Sequence, residues 1–188
     1  MTFRYIGKSF ERMDGVAKVT GAAQYVADLK LPRMLHAQIL RPEFAHARIR
    51  SIDPSEAERS EGVLRVVTGK DYPLFFSAAG FYDQRPFAVD KVRHGGEPLA
   101  AVIADTLDHA KKALPKIKVV YEPLPVLLDH VEAARNTSVL IHDRLAEYRH
   151  LGSYFPEPGT NIFHHYRLRK GEIEAGFKEA DVTVEGDF

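Results

Sequence analysis

The chain has 188 residues, 26 Lys and Arg against 26 Asp and Glu, and 45% hydrophobic residues, a size and mix suited to one domain or one domain with a tail. Its formal net charge of zero supplies no basic excess for nucleic acid or an anionic membrane, and near-neutrality leaves self-association into a homo-oligomer open. It has no cysteine, which excludes disulfides, thiolate catalysis and iron–sulfur ligation from within this chain.

Residues 1–10 carry polar and charged side chains and no apolar signal core, and the longest apolar run, residues 98–104, is strand-sized rather than membrane-sized. Both features predict a soluble, cytoplasmic protein. Residues 1–33 read as an irregular N-terminal segment with turns at Asp14-Gly15 and Thr20-Gly21 and a short strand at Tyr25-Val26. Leu31-Pro32 closes this stretch, because proline biases its predecessor away from helix.

Residues 34–41 and 47–53 each suit a strand, with residues 43–46 as a loop or wide hairpin between them. Ile49 and Ile52 break the period of two, which predicts a bulge near Ser51. Asp53-Pro54-Ser55-Glu56 is a helix start: Asp accepts backbone N–H groups, Pro fits the first turn, and Glu complements the positive end. Gly62 stops that helix, and residues 63–68 follow as a buried strand.

Residues 69–97 are loop-like. Their aromatics Phe75, Phe76, Phe81, Tyr82 and Phe87 are expected to pack locally against the sheet. Residues 99–104 form a continuous apolar strand. Thr106 caps a helix through Ala113, and Pro115 ends it by removing an amide donor. Residues 116–122 alternate, with Ile117, Val119 and Tyr121 on one face, and Pro123 and Pro125 end the strand. Beyond Val126 the pattern weakens. It predicts a short helix at residues 145–149, a strand at 163–169, a helix at 171–180 and a strand beginning at 182–185. Many strands with a few short helices spread among them make this an α+β fold. The predicted division is an N-terminal irregular segment at 1–33, a core at 34–135 and a C-terminal extension at 136–188.

Motifs for chemistry are scarce. Gly62 to Gly69-Lys70 has too many intervening residues for a phosphate loop, and Asp71 stands where Ser or Thr is needed. His164 and His165 are adjacent and point to opposite sides of a strand, and no helical two-His face occurs among the nine histidines. His36 and His46 flank the expected hairpin and read as packing or hydrogen-bonding histidines. No strained Gly-x-Ser-x-Gly turn is present to raise a serine nucleophile. The Asn136-Thr137-Ser138 sequon reads as chance. Arg41, His46, Arg48 and Arg50 form a basic cluster, either a solvated strand face or a docking surface in which arginine forks make directed hydrogen bonds.

One further signal comes from ordered blocks: Asp14-Gly15, Lys18-Val19-Thr20-Gly21, Tyr25, Asp28, Leu35-His36-Ala37, Leu40-Arg41, residues 45–49, Gly62-Val63, Val92-Arg93 leading into 98–104, residues 119–125, and residues 170–188. Together they resemble the α/β-hammerhead domain of the molybdopterin-binding large subunit in the xanthine dehydrogenase/aldehyde oxidase family. Departures include Arg33, where a glycine commonly follows the proline, Glu43-Phe44, the turn His94-Gly95-Gly96-Glu97, and Pro115 inside the second helix. The resemblance implies an enzyme that hydroxylates N-heterocycles or aldehydes at molybdenum, with oxygen from water, passing electrons through iron–sulfur clusters to FAD or another acceptor. It implies a structural and assembly role for this stretch, beside an iron–sulfur partner and a downstream molybdopterin-binding polypeptide. No family motif for pterin contact, for the molybdenum-facing side chains or for the general-base glutamate falls within 1–188. The resemblance therefore assigns no catalytic, cofactor-binding or metal-binding residue here. The alternative is a freestanding small-ligand or protein-binding module that reuses the fold, with the aromatic segment 75–87 as its binding element.

Overall fold

The computed structural model describes residues 3–77 and 80–186. Two three-stranded antiparallel sheets organise it. The first has β1 (His36–Leu40), β5 (Ala100–Ala104) and β3 (Val63–Thr68) in the order β1-β5-β3; the second has β4 (Lys91–Val92), β2 (Ala47–Asp53) and β6 (Lys118–Pro123) in the order β4-β2-β6. This is the expected α+β architecture.

β5 is central because it is apolar throughout. Its alanines let helices come close: α2 (Ser55–Glu58) and α3 (Leu107–Ala113) bring Ala57, Ala110 and Ala113 against Ala100, Val102, Ala104, Val66 and Ile117. All five of those alanines are fully buried. A second core joins Ala47, Ile49, Ala88, Val92 and Leu99, and the side chains of Leu40, Ile52 and Val119 pack against both. Those three residues make one packed unit of the two sheets.

The broken alternation in β2 is a bulge, with the register to β6 shifting between Ile49 and Ser51. The extra residue lets Ile49 and Ile52 both face the core although they are three apart. The β1–β2 pair is not a hairpin. β1 pairs only with β5, and β2 with β4 and β6, because each strand's apolar face is buried by a different sheet. The chain from 41 to 46 therefore crosses between sheets.

The signals around α3 hold, whereas α2 starts one residue later than expected, with Pro54 rather than Asp53 as its N-cap, and ends at Arg59, before Gly62. Asp53 accepts the Ser55 amide, Thr106 accepts the His109 amide, and Pro115 turns the end of α3 into a single 3-10 turn at Leu114–Lys116. Gly62 has φ +70, and a Cβ there would collide with His109 and Asp105, so glycine is required by both conformation and space.

The ends of the chain differ more from expectation. Residues 15–19 form a one-turn helix, α1 (Gly15–Val19), and Tyr25-Val26 leads into a 3-10 turn at Val26–Asp28 rather than a strand. The 3-10 turn Leu145–Glu147 stands where a helix at 145–149 is expected. Asp129 accepts the Glu132 amide and starts α4 (His130–Arg135), a cap that the weakened apolar pattern hides. α5 (Ile173–Glu179) is present, but residues 163–169 and 182–185 enter no ladder among the described residues.

Candidate functional site

The four residues of the basic cluster are treated differently by the fold. Arg48 and Arg50 point outward from β2 while Ala47 and Ile49 point inward. Arg50 pairs with Glu122 across the sheet, both side chains remaining exposed, and Arg48 lies opposite Glu122 and Lys91 in register. Arg41 is exposed and its guanidinium donates to the Gly96 carbonyl. His46 is buried, its Nδ1 donating to the Pro125 carbonyl at 2.5 Å, since a carbonyl can only accept. Its Nε2 has no partner among the described residues. The three arginines are open to solvent, and His46 is a tether behind them that pins the chain leaving β6.

Next to this strand lies a polar assembly that the sequence pattern does not reveal. Lys91, on edge strand β4, is 2% exposed. Its ammonium donates to the Leu140 carbonyl at 2.6 Å and to Asp143 at 2.9 Å. A buried cation of this kind persists only when paired and hydrogen-bonded, and the pair clamps residues 140–143 to the second sheet. Arg93, two residues on, donates to the Lys91 carbonyl and approaches Asp90 and Glu97. Glu97 in turn accepts the Arg93 amide at 2.6 Å, closing the turn through Gly95-Gly96. Gly96 has φ +81, which accounts for glycine there.

Arg93, Glu97, Asp83, Arg85, Phe76 and His142 line an open cleft of about 310 Å³. Burial, reinforced by the nearby charges of Arg93 and Lys91, pushes the His142 pKa down to about 4. Burial also raises the Asp83 pKa. His142 Nδ1 lies 3.1 Å from the Tyr148 hydroxyl, and its Nε2 lies 4.0 Å from Asp83. Arg93 is committed to its neighbours and Arg85 lies over the Phe75 ring, while Asp83 and Glu97 balance the two cations. No group of three or more His, Cys, Asp or Glu is placed to hold a metal among the described residues. With no cysteine in the sequence, the chain supplies no thiolate for an iron–sulfur cluster.

Phe81 and Phe75 of the aromatic loop make their ring contacts with residues 148–163 rather than with the sheets. Phe81 is buried and makes ring contacts with Tyr148, His150, Tyr154 and Phe163. Phe75 meets Tyr148 edge-on. These partners lie 60 or more residues further along the chain, so no local pattern could name them. Phe81 anchors an aromatic cluster of its own, while Phe75 and Tyr82 line an open cleft of about 300 Å³ with Glu147, Tyr148 and Arg149.

Comparison with known proteins places this arrangement. The family model described as aldehyde oxidase and xanthine dehydrogenase, α/β-hammerhead domain, matches residues 20–125. The chain belongs to that family. Residues 20–125 are its hammerhead domain. Over 178 residues the chain is 37% identical to a probable xanthine dehydrogenase subunit of Bacillus subtilis (strain 168), covering 94% of this chain and 22% of that protein. It is 32% identical over 187 residues to the nicotinate dehydrogenase large molybdopterin subunit of Eubacterium barkeri, covering 99% of this chain and 40% of that one. The solved aldehyde oxidoreductase of Desulfovibrio gigas superposes with a TM-score of 0.68 at 32% identity, over 94% of this chain and 20% of that one. The chain thus spans well under half the length of these relatives. The first two are named as subunits, the second as a large molybdopterin subunit, and no helix among the described residues is long and apolar enough to cross a membrane.

Proposed function

We propose that the hammerhead works as a non-catalytic brace. Residues 34–135 form its rigid core, and 1–33 and 136–188 reach out to neighbouring polypeptide that carries the molybdopterin. In this reading, molybdopterin, iron–sulfur clusters and FAD belong to the complete hydroxylase, and this chain shapes the assembly around them. The observation that carries the reading is the distribution of exposed apolar side chains. Among the described residues of 34–135 the large apolar side chains more than half exposed are Leu64, Leu74, Val120 and Leu128, whereas the shorter end segments expose Phe3, Ile6, Phe10, Val19 and Leu31 on one side and Leu168, Phe177 and Val184 on the other to the same degree. Large apolar residues gathered in exposed segments mark surfaces that another polypeptide covers.

The outward arginines Arg41, Arg48 and Arg50 supply the second contact, a docking face for the iron–sulfur partner. Arg50 already pairs with Glu122 in the free chain, so the face offers arginine forks that exchange partners on docking, with His46 holding the strand behind them. Charge reversal tests it. Arg48→Glu with Arg50→Glu is expected to weaken binding of the co-expressed iron–sulfur subunit at least about tenfold, the scale of losing a directed charge contact, with the fold retained by circular dichroism and the melting temperature slightly lowered by the new carboxylate contacts with Glu122. Unaltered affinity would remove the docking face from the account.

A further inference from the structure

The cleft lined by Phe75, Tyr82, Glu147, Tyr148 and Arg149 holds about 300 Å³, the lower end of the range for small-molecule sites. Its walls are fixed from within the fold. The Tyr82 amide donates to the Arg149 carbonyl at 2.9 Å, so the two side chains leave neighbouring points of the backbone. The Arg149 guanidinium lies 4.9 Å from the centroid of the Tyr82 ring. Tyr148 meets Phe75, Phe81 and His142 edge to face, and its hydroxyl hydrogen-bonds with His142 Nδ1 at 3.1 Å. Phe75 carries a second guanidinium, that of Arg85, 4.2 Å from its centroid.

A guanidinium seated on a ring turns its flat face to the π cloud and keeps its N–H groups around the edge. Arg65, Arg93 and Arg144 pair with Asp71, Asp90 and Glu147. Neither Arg149 nor Arg85 makes an ion pair or a side-chain hydrogen bond among the described residues. Arg149 thus offers an oriented planar fork beside aromatic walls. A carboxylate matches the fork, and a flat ring matches the walls. A cation is the poorer match. Three rings and the Glu147 carboxylate would attract one, but Arg149 and Arg85 already lie over Tyr82 and Phe75. Glu147 is 65% exposed and faces Arg144 at 3.6 Å, so its charge is largely screened. We propose that this cleft binds a small aromatic carboxylate, with the carboxylate on the Arg149 fork and the ring against Phe75, Tyr82 and Tyr148. The site shares no residue with the docking arginines Arg41, Arg48 and Arg50, so it stands or falls independently of the brace.

The test titrates benzoate, benzamide, acetate and phenyltrimethylammonium into the isotope-labelled chain at neutral pH and follows amide resonances. Benzoate should move those of Phe75, Tyr82, Tyr148 and Arg149 and saturate with a Kd of about 1 mM, in keeping with the affinity open to so small a ligand. Benzamide, flat but uncharged, and acetate, charged but without a ring, should each bind at least about tenfold more weakly. Arg149 is exposed, and Arg149→Met should weaken benzoate at least about tenfold. Glu147→Gln removes a like charge and should tighten benzoate roughly twofold. Phenyltrimethylammonium binding as tightly as benzoate, or Glu147→Gln weakening benzoate, makes this a cation site and overturns the proposal. Acetate as tight as benzoate removes the rings from recognition and overturns it too. So do benzoate titrations that leave the four resonances unmoved. The probe series on the unaltered chain and the Glu147 variant decide the matter even if Arg149→Met fails to fold.

Discussion

Removing Asp143 should destabilise the protein more than removing Lys91, although Lys91 is the buried member of the pair. The Lys91 side chain is 3% exposed and the Asp143 side chain 46%. In Lys91→Met the methylene stem is kept, the packing is nearly conserved, and Asp143 returns to water at little cost. What remains is a half-buried Leu140 carbonyl without its donor, worth about 1 kcal/mol. In Asp143→Ala the ammonium stays buried with one carbonyl for company, and stranding a buried charge costs about 3 kcal/mol. The double variant should recover most of that loss, giving a coupling of about 2 kcal/mol in a double-mutant cycle. Urea unfolding of the three variants and the parent measures each value. If Lys91→Met proves as damaging as Asp143→Ala, or the double variant adds the two losses, then Asp143 is not what keeps the buried cation tolerable.

Other perturbations follow from single contacts. Arg33 has φ +59, the lone non-glycine in the left-handed region among the described residues; Arg33→Gly should relieve strain of roughly 1 kcal/mol and raise the melting temperature. Gly62→Ala should cost more than about 2 kcal/mol, since the new methyl meets His109 and Asp105 at a positive φ, and thermal unfolding reads it directly. His142 has its folded pKa pushed below the ordinary 6.5 to about 4, so its contribution is fully present above pH 6.5 and is lost as pH falls toward 4. That loss amounts to about 3 kcal/mol. His142→Gln should flatten the stability curve across that window, and denaturant titrations at a series of pH values would show it. The two N–H groups of the Asn161 side-chain amide are shared among the Ala133, Asn136 and Val139 carbonyls, and its Oδ1 accepts the Ile141 amide; Asn161→Ala should cost about 2 kcal/mol and speed proteolysis of residues 133–141.

The hammerhead core was legible because its signals are local. The apolar run of β5, the alternation of β6, the Thr106 cap and the broken period at Ser51 each depend on neighbours within a few residues. The crossing between sheets after β1 was not legible, since two short strands separated by a loop look like a hairpin until their partners are known. Phe81 shows the same limit: its contacts with Tyr148, Tyr154 and Phe163 are set by the tertiary fold. The basic cluster was visible as composition, but its division into outward arginines and a buried His46 required the burial pattern. Lys91 gave no sign of its burial, because a lysine in a short edge strand is ordinarily a solvated charge. The alternation at 163–169 and 182–185 is plain in the sequence, yet the described residues supply no ladder for either stretch, since pairing needs a neighbouring strand that a local pattern cannot provide.

The central claim is that these residues brace a molybdenum hydroxylase and hold none of its cofactors. The most direct measurement is metal and pterin analysis of the purified 188-residue protein, with hydroxylation assayed on heterocycles and aldehydes. The account predicts no stoichiometric molybdenum or pterin and no turnover until the cofactor-bearing polypeptides are added. One molybdopterin per chain, or turnover by the chain alone, would contradict it.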